Sequence, residues 1–207
     1  MKDELFNIIS GKGEVRYGSI IQAITCYLKN GKNSSENIKN QKQVRKQEEE
    51  SLISFATSNE LWVKNLDLSK FISSGAEQRV YLNDTKFVIK LNDAIYYELW
   101  VDYFHNLLLH NYFFTDTAYE FLGFYTENEK LFVVVKQNFV VSTEVTDLQR
   151  VRTFLEANGF LNTRNHDYFN KELGIILEDL HDENVLTNNE ILYFIDTVFY
   201  ISDEFWN

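Results

Sequence analysis

The chain has no proline, one cysteine and one methionine, and only eight of its 207 residues are glycine. Proline averages about 5% of ordinary proteins; its absence here, beside abundant Asn, Lys, Ile, Phe and Tyr, is read as the mark of an A/T-rich genome rather than of a structural demand. With Cys26 as the single thiol, no intramolecular disulfide can form and a thiolate zinc site is excluded. No apolar run approaches the roughly eighteen residues of a membrane span. No basic start leads into an apolar secretion segment either, so the cytoplasm is the expected location. Basic residues are outnumbered, 20 against 31 acids, for a net charge of -11. That balance opposes broad attraction to nucleic-acid phosphates or anionic lipid, so neither nucleic acid nor membrane is expected as a partner.

What is present is 44% hydrophobic and 15% aromatic residues, enough for a sizeable core. Residues 1–30 read as one or two short helices broken at "GKG" (11–13), with Ile20, Ile21, Ile24 and Tyr27 as a helical stripe. "NGKNSSEN" (30–37) reads as a loop. A polar helix follows over about 38–58, with Arg45/Glu49 and Lys46/Glu50 at i,i+4 spacing, leaning on the main domain. From residue 69 the period becomes that of strands: "KFISSG", "RVYL" and "KFVIKL", the last two joined by a turn at Asn83–Asp84. A helix is expected over 92–111, then strands "YEFLGFYT" and "KLFVVVKQ" around "ENEK". Thr146 and Gln149 suggest a capping box for a helix facing inward through Leu148, Val151, Phe154 and Leu155, ended by Gly159. The stretch 160–172 reads as irregular loop, and "LGIIL" and "EILYFID" as strands around "EDLHDENV".

Three of these elements carry chemistry in a particular order. A strand ends at Lys90, a loop holds Asp179 and Asn184 with four residues between, and the final strand ends at Asp196. A nucleotide phosphotransferase needs a lysine on phosphates, an Asp to take the acceptor proton, and an Asn and an Asp as oxygen ligands for magnesium. "VIK" (88–90), "DLHDEN" (179–184) and "FID" (194–196) resemble the protein-kinase-like superfamily, with a catalytic loop similar to that of aminoglycoside and choline phosphotransferases. More closely, "GAEQRVYL", "VIKLND", "LLLHNYFF", "LGF", "VVKQ", "ANGF", "GIILEDLHDENVL" and "FIDTVFY" resemble the compact polyvalent protein kinase family of bacterial mobile elements and phages, over roughly 40–200.

The resemblance implies an α+β, two-lobed fold: an N-terminal helical extension (1–35), a polar helix (36–66), and a minimal kinase-like domain over 67–207. Within that domain it implies a five-stranded antiparallel N-lobe at 67–136, a hinge at 137–140 and a reduced C-lobe at 141–207. It implies ATP and magnesium as cofactors, Asp179, Lys90 and Asn184 as catalytic residues, and Asn184 and Asp196 on the metal. Nucleotide contacts would come from Gly75, Lys90, Glu98 and the hinge backbone at Gln137 and Phe139. Glu98 or Asp102 would pair with Lys90, with Glu98 preferred on residue type. Ser73, Gly75 and Gln78 stand at the three glycine positions of the phosphate loop, so one glycine survives. His181 is expected to brace the catalytic loop, and Asp182 and Glu183 to be solvated. Only eleven residues follow Asp196, leaving no room for an activation segment and a helical platform. Two other functions compete: a kinase-like binding or regulatory module, and a metal hydrolase built on Asp179, His181, Asp182 and Glu183 with His110 or His166. The phosphate acceptor, protein or small molecule, is unspecified, and the first 35 residues are a candidate partner-binding arm.

Overall fold

The computed structural model describes residues 1–31, 40–75 and 78–207. Most of the loop expected at 30–37 therefore lies outside the described residues. Three helices come first: α1 (Lys2–Ser10), α2 (Ser19–Asn30) and α3 (Gln41–Ser58). In α2 the buried arc is Ile21, Ile24, Thr25 and Leu28, while Ile20 and Tyr27 of the expected stripe are exposed. On α3, Lys46 and Glu50 pair at 3.9 Å in open solvent, where such a pair stabilises little. Arg45 turns inward instead, donating to the carbonyls of Asp93, Ala94 and Tyr97 and covering the Trp100 ring.

The next helix, α4 (Trp100–Phe113), starts eight residues later than the expected 92. The Asn92 and Asp93 side chains accept bonds from the backbone N–H groups of Ala94 and Ile95, a local alternative to helix. Asp102 then accepts from Leu99 N–H at 3.2 Å and fixes the helix start. The buried carboxylate of Glu48, on α3, accepts from Trp100 N–H at 2.7 Å. Negative charge is favourable at a helix N-terminus, so Glu48 ties α3 to α4.

Five strands form one antiparallel sheet: β1 (Phe71–Ser74), β2 (Gln78–Leu82), β3 (Phe87–Asn92), β4 (Glu120–Glu127) and β5 (Lys130–Asn138), in the order β1-β2-β3-β5-β4. The turn after β2 is built by Asp84, which accepts from Lys86 and Phe87 N–H. The period of two sorts the side chains. Ile89, Leu91, Phe132 and Val134 pack on one face with Tyr81, while Val133 and Val135 face α4 in the main core. Val88 and Lys90 share the opposite face of β3 from Ile89. In β4, Gly123 has φ 144, and a Cβ there would sit 2.2 Å from the Leu61 carbonyl. Only glycine lets residues 61–63 bond to Phe124 along this strand.

The remainder is largely β as well. Helix α5 (Leu148–Ala157) is capped by Asp147, which accepts from Gln149 N–H. Thr146, expected as the cap, instead donates its hydroxyl to the Val185 carbonyl. Phe154 is exposed, and Val151 and Leu155 are buried. Strands β6 (Leu161–Arg164) and β7 (Asp167–Asn170) occupy the stretch expected to be irregular. They join β8 (Ile175–Glu178) and β11 (Val198–Ile201) in an antiparallel sheet of order β11-β8-β7-β6, while β9 (Val185–Asn188) and β10 (Ile191–Phe194) form a separate hairpin. The buried positions of β7 are Tyr168 and the polar Asn170, with the aromatic Phe169 between them on the less buried side, so no apolar–polar alternation marks the strand.

One hydrophobic cluster runs through these parts. Leu5, Ile9, Ile21, Ile24 and Leu28 of the first two helices belong to the same cluster as Phe104, Leu177, Phe199 and Phe205. Lys2 further donates to the Glu204 carbonyl, joining the two ends of the chain. Among the described residues no helix is long and apolar enough to cross a membrane.

Candidate active site

A cleft of about 1030 Å³ lies between the β1–β2–β3 part of the five-stranded sheet and the segments around β8 and β10. Its apolar lining includes Ile72, Val80, Val88, Phe139 and Leu186. Its polar lining includes Lys90, Asp179, Asn184 and Asp196. Carboxylates outnumber cations there, because Asp167, Glu178, Asp182 and Glu183 also line the cleft. A polyanion entering here requires a compensating cation beyond Lys90 and Arg164.

Lys90 reaches the cleft because "KFVIKL" alternates, sending Val88 and Lys90 to the cleft face of β3. Its ammonium group, buried, donates to the Ile195 carbonyl at 2.7 Å. Asp179 follows β8 directly and takes φ 64, a left-handed backbone that Asp tolerates better than most residues. Leu180 is fully buried and anchors the loop beneath it. The Asn184 amide donates to the Asp179 carbonyl at 2.8 Å and to its carboxylate at 3.0 Å. Asn184 O in turn accepts from the N–H groups of Ile195 and Asp196, which brings residues 184 and 196 side by side. With the Asn184 nitrogen engaged by Asp179, Oδ1 is the side-chain atom able to ligate a cation. Asn184 Oδ1 and the Asp196 carboxylate are hard oxygen donors of the kind magnesium takes, one or two from protein beside the substrate's own phosphates.

His181 sits inside the loop. Its Nδ1 accepts from Glu183 N–H at 3.2 Å, and its Nε2 lies 3.1 Å from the Asn184 amide nitrogen and 3.5 Å from Asp179 Oδ1. Asp182 and Glu183 are exposed. The β6–β7 turn braces the loop from outside: Asp179 N–H donates to Asp167 Oδ1 and Leu180 N–H to the His166 carbonyl. Burial, reinforced by the nearby Asp167 charge, raises the Glu178 carboxyl above its ordinary range. Among the described residues no group of three or more His, Cys, Asp or Glu is placed to hold a metal ion.

Other expected positions differ. Glu98 lies before α4, exposed, and its carboxylate accepts from Gln41 rather than lining the cleft. The late start of α4 is the reason, because it leaves Glu98 on the loop. Asp102 serves the helix start. Gln137 is buried in β5 with its side chain donating to the Thr117 carbonyl, and Phe139 N–H donates to the Lys86 carbonyl. Both residues line the cleft, with these hydrogen-bonding groups engaged elsewhere. Gly75 is exposed at the cleft rim.

A polar support beneath Asp196 was not anticipated. Tyr119 and Lys90 both donate to the Ile195 carbonyl, and Thr117 to that of Phe194. His110, fully buried, contacts Thr197 Oγ1 at 2.7 Å through Nδ1 and the Thr117 carbonyl at 2.9 Å through Nε2. Burial, aided by the charge of Lys90 and opposed by the bond to Thr117, pushes the His110 imidazole down to about 3. The unfolded chain therefore takes up this proton below about 6.5 while the folded chain does not. His110 leaves stability unaffected above pH 6.5 and lowers it as pH falls from there toward 3, by at most about 1.4 kcal/mol per pH unit. Denaturant melts across this window are expected to show a shallower pH slope for His110→Gln than for the wild type.

No curated protein and no solved structure matches the chain. A family described as serine/threonine/tyrosine kinase found in polyvalent proteins matches residues 45–203. That span takes in α4, both sheets and every residue assigned above to the cleft. A match over most of the chain, containing the lysine strand, the Asp179–Asn184 loop and Asp196, places this chain in the family of serine/threonine/tyrosine kinases found in polyvalent proteins.

Proposed function

We propose that the chain is a magnesium-dependent phosphotransferase that moves the terminal phosphate of ATP to a hydroxyl of a protein or small-molecule acceptor. The observation that carries this reading is the meeting of Lys90, Asp179, Asn184 and Asp196 in one cleft that also has an apolar lining. The five-stranded sheet with α4 is read as the N-lobe and residues from 141 onward as the reduced C-lobe, the cleft being the groove between them. The strand order β1-β2-β3-β5-β4, with α4 between β3 and β4, supports this division. Adenine is assigned to Ile72, Val80, Val88 and Leu186. With the Phe139 N–H engaged by Lys86, the backbone contact to the base is assigned to Val140, which lines the cleft.

In the transfer, Asp179 accepts the acceptor's proton as that oxygen attacks the terminal phosphorus. The bond to the bridging oxygen breaks and ADP leaves. Lys90 donates to the phosphates, and Asn184 Oδ1 and the Asp196 carboxylate would hold magnesium. When bound, the metal supplies the positive charge that this carboxylate-lined cleft otherwise lacks.

Calorimetry with ATP and magnesium, paired with labelled-phosphate transfer in the presence of cell extract, tests the proposal. Transfer by the wild type that is lost in Asp196→Ala is the expected outcome. Binding without transfer would move the reading to a nucleotide-sensing module. That second reading has one observation behind it: Gly75 N–H donates to the Gln78 carbonyl within the hairpin, so it is not offered to phosphate. Absence of any nucleotide binding sinks both readings.

A further inference from the structure

We propose that Gln78 binds the terminal phosphate, its side-chain amide bridging Asp196 and a phosphate oxygen in place of a glycine-loop backbone donor. This inference rests on the phosphotransferase reading of the same cleft. Gln78 opens β2 at the cleft rim, and its Nε2 donates to Asp196 Oδ2 at 2.5 Å, from one wall of the cleft to the other. The surviving glycine of the hairpin does not supply such a donor. Gly75 N–H is already closed onto Gln78 O at 2.9 Å.

A primary amide has two hydrogens on one nitrogen. One is engaged by Asp196 Oδ2, and the second is available to a neighbouring acceptor. The geometry of a magnesium site says where that acceptor lies. Ligand oxygens about 2.1 Å from an octahedral ion sit roughly 3 Å from one another along an edge. A phosphate oxygen sharing a metal with Asp196 would lie beside the carboxylate that already holds the Gln78 amide. Oδ1 of the same carboxylate stays open to the metal. The amide is neutral, so it joins carboxylate and phosphate without cancelling the charge that holds the cation.

Calorimetry with magnesium and three ligands, adenosine, ADP and a non-hydrolysable ATP analogue, tests this on the full chain. Gln78→Leu, similar in size but without donors, is expected to weaken the ATP analogue by about tenfold or more, the scale of a hydrogen bond to a charged group. ADP should weaken less and adenosine not at all. Gln78→Glu should weaken the ATP analogue further, and should tighten binding of manganese alone, read by its electron paramagnetic resonance signal, because it sets a second carboxylate beside Asp196. Unchanged affinity for the ATP analogue in Gln78→Leu overturns the inference. An equal loss for adenosine and the ATP analogue overturns it too, by tracing the effect to cleft shape. A wild type that binds no nucleotide removes the phosphotransferase reading itself, whereas a wild type that binds and a variant that matches it removes only the role of Gln78.

Discussion

Asp179→Asn is expected to lower phosphate transfer by about 10²–10⁴-fold, the range associated with a positioned general base, while leaving affinity for magnesium and nucleotide unchanged. Asparagine has the shape of aspartate and tolerates the left-handed backbone that residue 179 adopts at φ 64. It keeps an oxygen that can accept from the Asn184 amide, now 3.0 Å from the Asp179 carboxylate. Leu180, fully buried, still anchors the loop. The substitution therefore removes the proton acceptor and little else. Single-turnover transfer of labelled phosphate, beside calorimetry of the same preparation, separates the two effects. A rate equal to the wild type would remove Asp179 from the chemistry. A loss of affinity as large as the loss of rate would mean that the loop had collapsed.

Removal of residues 1–31 is expected to abolish cooperative folding. Leu5, Ile9, Ile21, Ile24 and Leu28 are each at most 2% exposed and pack in the cluster that contains Phe104, Phe199 and Phe205. Full burial of one such side chain stabilises by about 1.5–3 kcal/mol, whereas a domain's net stability is only about 5–15 kcal/mol. The deletion also bares the surface of α4 that α1 and α2 cover, and α4 in turn packs on β11 and holds Thr197 through His110. Near-ultraviolet circular dichroism and a denaturant melt of the shortened chain read the result. A folded, nucleotide-binding fragment would instead make these helices a separable arm, the partner-binding role suggested by their position outside the strongest resemblance.

Much of the candidate site could be read from the residues because its polar groups stand in short local runs. A lysine in an alternating apolar strand, an Asp and an Asn with four residues between them after another strand, and an Asp closing a late apolar run are each set by spacing along the chain. The sheet strands were similarly legible, since Val88 and Lys90 on one face and Ile89 and Leu91 on the other is a period-two pattern that survives any tertiary arrangement. The β6–β7 hairpin was not legible. Its less buried positions include Leu161 and Phe169 while Asn170 is buried, and Tyr168 and Asn170 are buried by neighbours on β8 and by Asn158–Gly159, none of which is adjacent in sequence.

By itself, then, the sequence determined the candidate site groups, the strand that carries Lys90 and the family, because each depends on residue type and nearby spacing. The tertiary structure decided which groups meet. Glu98 was the better lysine partner on residue type, yet two Asx turns at Asn92 and Asp93 and the Asp102 cap begin α4 after it. Gln78 looked like a lost glycine, and becomes a partner of Asp196 only when β2 crosses the cleft. His110 lies far from Asp196 along the chain, and the fold buries it against Thr197. Contacts of this kind depend on where helices begin and which strand edges face each other, quantities set by long-range packing rather than by local pattern.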